Sequence, residues 1–276
     1  LNQYGIPEVF EADAHGIVKE VYQDIKYVLK VPIVNFLFRA LANYPEFLVH
    51  AWQQVRPNML SLNMESMAND LRFPLLNKSI PTYDLKKDYS SSTLSHINYV
   101  VATFQYVNPK LLLIASAWME SLAERPIVSQ KVVKGIIQPG FFNMPPIEMI
   151  KVETAPLYVK QLLLEVAKEH ASFDVASDYR ALACYPRFFE MMWRDLKPYI
   201  SSNEYTLLRS NLLNQAIKRV REEMPYPITL NSHQLEHIYE PAQIAGIMGI
   251  VSYFHRFLPG LIIEIEFIRR YLLGES

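Results

Sequence analysis

One cysteine, Cys184, stands in 276 residues, so an internal disulfide framework is excluded and a reducing compartment is compatible with the chain. By itself Cys184 reads as a small buried hydrophobe. Glycine is scarce, with 8 in all. No Asn-Gly or Asp-Gly pair marks a hairpin, and apolar-polar alternation is weak, which argues against strands. There is no basic excess either: 27 Lys and Arg against 28 Asp and Glu give a net charge of -1. That leaves no phosphate footprint for nucleic acid as the main partner. No uncharged apolar run reaches the ~18 residues of a membrane span. The nearest, Pro241 to Phe254, is 14 residues long and stops at His255 and Arg256. No secretory pattern opens the chain, so a cytoplasmic location with no membrane partner is the default expectation. Gly-x-Ser-x-Gly, phosphate-loop and dinucleotide glycine patterns are missing as well. No cofactor is expected.

What the chain does have is a duplication. Residues Arg39-Ala40-Leu41-Ala42, Tyr44-Pro45, Phe47, Trp52 and Pro57 recur as Arg180-Ala181-Leu182-Ala183, Tyr185-Pro186, Phe188, Trp193 and Pro198, all at an offset of 141. Val18-Lys19 and Val159-Lys160 share that offset. At an offset of 150, Val101, Phe104, Pro109 and Leu111 answer Val251, Phe254, Pro259 and Leu261. So many constant spacings exclude coincidence.

Inside each copy the period is helical. Ile17/Val18, Val21/Tyr22, Ile25 and Val28/Leu29 form one apolar stripe, and Val159, Leu162/Leu163 and Val166 repeat it. Pro32 suits the first turn of a helix, and Pro45 and Pro186 close equivalent helices. The fold expected is all-α, two tandem helical repeats at 16–127 and 156–276, joined by a linker at 128–155 that holds Pro139-Gly140 and Pro145-Pro146. Each copy has an apolar face that it cannot cover alone, so the two should pack as an internal pseudo-dimer, with any ligand site between them. A homodimer of the whole chain is also allowed.

If twins share a backbone, they should share burial, and a polar residue opposite an apolar twin is a signal. Asp178 stands opposite Leu37, and Asp174 opposite Ile33. The two aspartates are spaced i and i+4, which on a helix makes neighbouring carboxylates that resist joint ionisation; the survivor is a better general base. The competing view has Asp174 capping a helix and Asp178 solvated. Asn108, before Pro109, stands opposite Leu258; the plainer alternative is an N-cap followed by proline. Ser61 and Glu65 form another i, i+4 pair, read either as a functional constellation or as a surface pair.

With Ser177-Asp178-Tyr179-Arg180-Ala181-Leu182-Ala183, Tyr185-Pro186, Val31-Pro32, Phe36, Asn108-Pro109-Lys110, Arg125-Pro126 and Arg256-Phe257 in place, the chain resembles the group I, non-stereospecific (D,L) α-haloacid dehalogenases over nearly its whole length. The resemblance implies an all-helical pseudo-dimer that hydrolyses short 2-halocarboxylic acids, small anionic substrates, to 2-hydroxy acids. It also implies direct attack by water with inversion, no ester with the enzyme, and acceptance of both enantiomers. On this resemblance Asp178 activates the water and Asn108 helps to hold it. Ser177, Phe36, Ile33, Phe254, Ser61 and Glu65 contact the substrate, with Ile33 and Phe254 in place of a tryptophan and a tyrosine. Arg39, Arg180 and Lys110 are weaker candidates for meeting the anion than backbone N–H groups at a helix start.

Beside this reading stands covalent attack by Asp178 itself, since aspartate is also a known nucleophile, and two further rivals. His233, Glu236 and His237 spell an inverted zinc-protease pattern, but only 39 residues follow to supply a distant third ligand, and no metal is expected. The other is a catalytically altered family member acting as a helical binding or scaffold protein.

Overall fold

The structure is a computed structural model and describes residues 5–128, 131–140, 144–172 and 174–275. Eleven α-helices form among these residues: α1 Gly16–Leu29, α2 Phe36–Leu41, α3 Pro45–Met59, α4 Leu62–Arg72, α5 Ser91–Leu122, α6 Leu157–Glu169, α7 Ser177–Leu182, α8 Pro186–Ile200, α9 Asn203–Glu223, α10 Ser232–Leu235 and α11 Pro241–Leu273. The only β pairing among the described residues is two isolated bridges, Ser61 with Ile136 and Ile127 with Ile228. The fold is all-α.

Local chemistry sets the helix ends. Ser61, Ser90 and Ser202 cap α4, α5 and α9 with their side chains. Glu240 and Gln243 form a capping box at the start of α11, and Gly274, at φ 69, ends it in the left-handed region. Pro45 and Pro186 do not close helices as the sequence suggested. Each opens one, α3 and α8, at the first position, where a missing N–H loses nothing. Pro32 lies in the turn before α2, not in its first turn, because the helix begins only after Asn35.

Elements at the offset of 141 match in detail. The single 3-10 turns Glu11–Asp13 and Val152–Thr154 are such a pair, as are α2 with α7 and α3 with α8. Lys30 and Ala171, which end the first long helix of each half, both adopt positive φ, 57 and 48. Val9 donates its N–H to the Arg39 carbonyl, and Ile150 does the same to the Arg180 carbonyl. Residues 146–155, taken as linker from the sequence, thus run as residues 5–14 do. Linker residues 129–130 and 141–143 lie outside the described residues, as does Ser276.

Two long helices, α5 with 32 residues and α11 with 33, make the most extensive helix pairing. Both carry a proline in mid-helix, Pro109 and Pro259, each of which frees a carbonyl one turn back. Asn108 is therefore not an N-cap before proline, since both residues sit deep inside α5. Among the described residues α11 is also long and apolar enough to cross a membrane, with 61% of its most apolar window buried against the rest of the protein. It carries the buried carboxylates Glu264 and Glu266.

Candidate active site

The two six-residue helices, α2 and α7, meet α5 and α11 around one cavity. Its lining falls into twin pairs: Asn35 with Ala176, Phe36 with Ser177, Leu37 with Asp178, Asn108 with Leu258, and Leu111 with Leu261, plus Phe254. The free space is about 20 Å³, enough for roughly one water. Any larger guest therefore needs side chains to give way on entry. Phe36 and Phe254 close the apolar side edge to face, with centroids 5.2 Å apart.

Asp178 is 4% exposed, and one carboxylate oxygen, Oδ2, accepts a bond of 2.7 Å from Asn108 Nδ2. Burial pushes its carboxyl up to about 6; Asn108 and its own backbone N–H pull against that, and the Glu264 charge adds to the rise. The neighbouring carboxylate is therefore Glu264, not Asp174. Asp174 precedes α7 instead of sharing a helix face with Asp178, and its oxygens accept from Ile6 N, Val175 N and Arg180 Nη2.

Glu264 itself is held by three donors, His170 Nε2 at 2.9 Å, Tyr179 OH and Tyr205 OH. Burial opposes its ionisation, but the His170 charge and these bonds outweigh burial and hold its carboxyl below the ordinary range. Burial likewise opposes charge on His170, and Glu264 overcomes it, raising the imidazole above its usual value. An ion pair thus lies buried near the α7 aspartate, with Tyr179 adjoining Asp178 in the chain.

Ser177 accepts a 3.2 Å bond from Arg39 Nη2, which leaves its own hydroxyl hydrogen free to donate. Arg39 and Arg180 converge on one carboxylate: Glu8 takes Arg39 Nε at 2.7 Å and Arg180 Nη1 at 2.6 Å. Asp174 adds a second anion at Arg180, so the charges of the two arginines are matched within the fold. Both guanidinium groups lie over the Phe36 ring, at 5.6 and 5.2 Å.

Of the residues singled out from the sequence, Asp178, Asn108, Ser177, Phe36 and Phe254 share this cavity, and three do not line it. Ile33 is buried in the core before α2 but away from the lining. Ser61 is spent on the helix it starts, accepting from Met64 N and donating to the Asn58 carbonyl. Glu65 accepts from Lys110 Nζ and from Tyr106 OH at 3.1 Å. Its role is to match the charge of Lys110, a buried amine that also donates to Tyr106 OH at 2.7 Å. The i, i+4 spacing of Ser61 and Glu65 came from a helix start. Cys184 is half-buried, with its thiol near the Glu148 carbonyl. His233 pairs at the surface with Glu236 and Glu124, and α10 ends at Leu235, so it does not extend to His237 to set the histidines on one helical face.

Asn35 was missed. It is the N-cap of α2 yet makes no capping bond, and its Oδ1 is buried without a partner. The twin comparison that isolates Asp178 also isolates it, because Ala176 stands opposite. His170, Tyr179, Tyr205 and Glu264 were missed too, although their twins are Leu29, Phe38, Met64 and Ile114.

A family model described as DehI, halocarboxylic acid dehydrogenase DehI, matches residues 32–179. A configuration-inverting 2-haloacid dehalogenase of Alcaligenes xylosoxydans xylosoxydans is 28% identical over 279 residues, 97% of this chain and 94% of its own. A D-2-haloacid dehalogenase mutant solved with D-2-CPA superposes with a TM-score of 0.91 at 23% identity, covering 99% of this chain and 97% of its own. A D-2-haloacid dehalogenase solved with L-LA gives 0.90 at 24%, covering 99% and 98%. These matches correct the resemblance to a non-stereospecific D,L group: the matching family is DehI, and the solved neighbours are D-2-haloacid enzymes.

Proposed function

From the premise that this chain belongs to the DehI family, we propose that Asp178 is the general base of a hydrolytic dehalogenation at the α7 wall of the cavity. The protein is a hydrolase of carbon–halide bonds, a configuration-inverting 2-haloacid dehalogenase. The observation that carries the assignment of roles is a carboxylate sealed from solvent, raised to about 6, and bonded to Asn108 in a cavity only a few atoms wide.

A base near the working pH is ionised most of the time at neutrality and still holds a proton well as it forms. Asn108 donates through Nδ2 to Asp178, which leaves its Oδ1 to accept from the water and fix its direction. Oxygen bonds to carbon 2, its proton passes to Asp178, and the halide leaves on the far side with the bonding electron pair. That order inverts the centre and forms no ester. Ser177 donates to the substrate carboxylate, and Phe36 and Phe254 exclude bulk water from the leaving group. Short D-2-haloacids are the substrates, with L-2-hydroxy acids as products; the small cavity sets the limit on chain length. On the same footing, 16–127 and 156–276 are repeats packed as an internal pseudo-dimer, a reading supported by the paired lining.

The test is halide release from the separate hands of 2-chloropropionate and 2-bromopropionate. The expected result is consumption of the D hand, kcat/KM falling as pH drops through about 6, and loss of turnover in Asp178→Asn with the far-ultraviolet spectrum unchanged. A single turnover in heavy-oxygen water should label the product alone. Label found in the Asp178 carboxylate would reject the direct route, and full activity in Asp178→Asn would reject the base.

A further inference from the structure

Asn35 takes no part in the steps above, yet its position asks for one. Its side chain is only 2% exposed, it lines the cavity, and its Oδ1 has no partner. A buried amide left so is unfavourable unless something else uses it. The start of α2 does not require it. Asn35 makes no cap bond, and Ala176 starts α7 with nearly the same backbone, φ -61 and ψ 155 against -69 and 156.

Because twin residues line it in pairs, the cavity straddles the axis relating the halves, and α2 faces α7 across it. Inversion requires water and leaving group on opposite sides of carbon 2. With the water held at Asp178 on α7, the halide departs toward the α2 wall. There Phe36 and Leu37 offer an anion nothing, and Asn35 offers an amide. A half-turn about its last torsion exchanges Oδ1 and Nδ2 without changing volume, so two N–H donors can be presented.

The geometry points to Asn35 as the halide-binding residue, with its side-chain N–H donating to the halogen as the carbon–halogen bond breaks. The contact strengthens as negative charge grows on the leaving atom, so it acts on the transition state. This assignment rests on the reading of Asp178 as the base.

The experiment compares wild type, Asn35→Ala and Asn35→Ser on 2-chloropropionate and 2-bromopropionate, and measures inhibition by added chloride and bromide. Chloride is the poorer leaving group and depends more on the donor. Asn35→Ala should therefore slow kcat for the chloro acid about 10- to 100-fold, slow the bromo acid less, and weaken halide inhibition. Asn35→Ser keeps a donor and should recover part of the chloro rate. Equal losses on both acids, or unchanged halide inhibition, would overturn the assignment while leaving the dehalogenase reading intact. A wild type that releases no halide would sink both.

Discussion

Asp178 is expensive to keep ionised. Its carboxyl rises from 3.8 to about 6 through burial, and at 1.36 kcal/mol per unit this costs on the order of 3 kcal/mol. The sign follows from proton binding. Below about pH 4 the carboxyl is protonated in both folded and unfolded chains, and the penalty is absent. It grows between about pH 4 and pH 6, where the unfolded chain has lost the proton that the folded chain keeps, and is level above 6. Asp178→Asn removes the charge and keeps an oxygen to accept from Asn108 Nδ2. The mutant should be more stable than wild type at pH 8, by up to about 3 kcal/mol, with the gain shrinking as pH is lowered through 6. Urea unfolding at pH 8 and pH 5 checks this; a gain independent of pH would contradict a buried charge as its source. The same half of the molecule carries Glu264, His170, Tyr179 and Tyr205 where the other half has apolar residues, so polar groups concentrate around the proposed base.

At the scale of elements, α2 and α7 are six residues each, too short to persist alone. Their register is fixed from outside, by Arg39 and Arg180 at the fourth position of each, both converging on Glu8 from the segment preceding α1. Each arginine also donates to a carbonyl just before its own helix, Arg39 to Val34 and Arg180 to Val175. The Glu8 side chain is 6% exposed, so little solvent screens it. Glu8→Gln should destabilise by about 3–5 kcal/mol, since the buried Arg39 would lose its carboxylate partner while Asp174 stays with Arg180. A denaturation midpoint that moves by less than the equivalent of about 1 kcal/mol would show the tie to be dispensable.

For the whole molecule, α5 pairs extensively with α11, and the cavity takes residues from both sides of the 128–155 stretch. Val101, Phe104, Leu112, Ile263 and Phe267 are among the residues buried in these two helices, and a separated half would expose much of that surface. Cutting the chain between 128 and 144 should give two pieces that do not melt cooperatively alone. Mixed, they should recover halide release, because Asn108 and Asp178 come from different pieces. A half that unfolds cooperatively by itself would refute a shared core.

Helical class was legible in the residues alone, because the period of apolar positions is a property measured along the chain. The twin comparison reached Asp178 and Asn108 for the same reason: Leu37 and Leu258 reported the burial of positions whose own side chains are polar. Neighbourhoods across the fold could not be read in that way. The bond from Asn108 to Asp178 joins residues 70 apart, and that from His170 to Glu264 joins residues 94 apart. Spacing proposed Asp174 as the neighbouring carboxylate, and the family resemblance proposed Ser61 and Glu65 as substrate contacts. Tertiary packing instead brought Glu264 near the base, gave Asp174 to Arg180, and turned Ser61 and Glu65 to a helix cap and a buried lysine. Which buried group meets which depends on how helices cross, and the local pattern that forms a helix carries no information about that crossing.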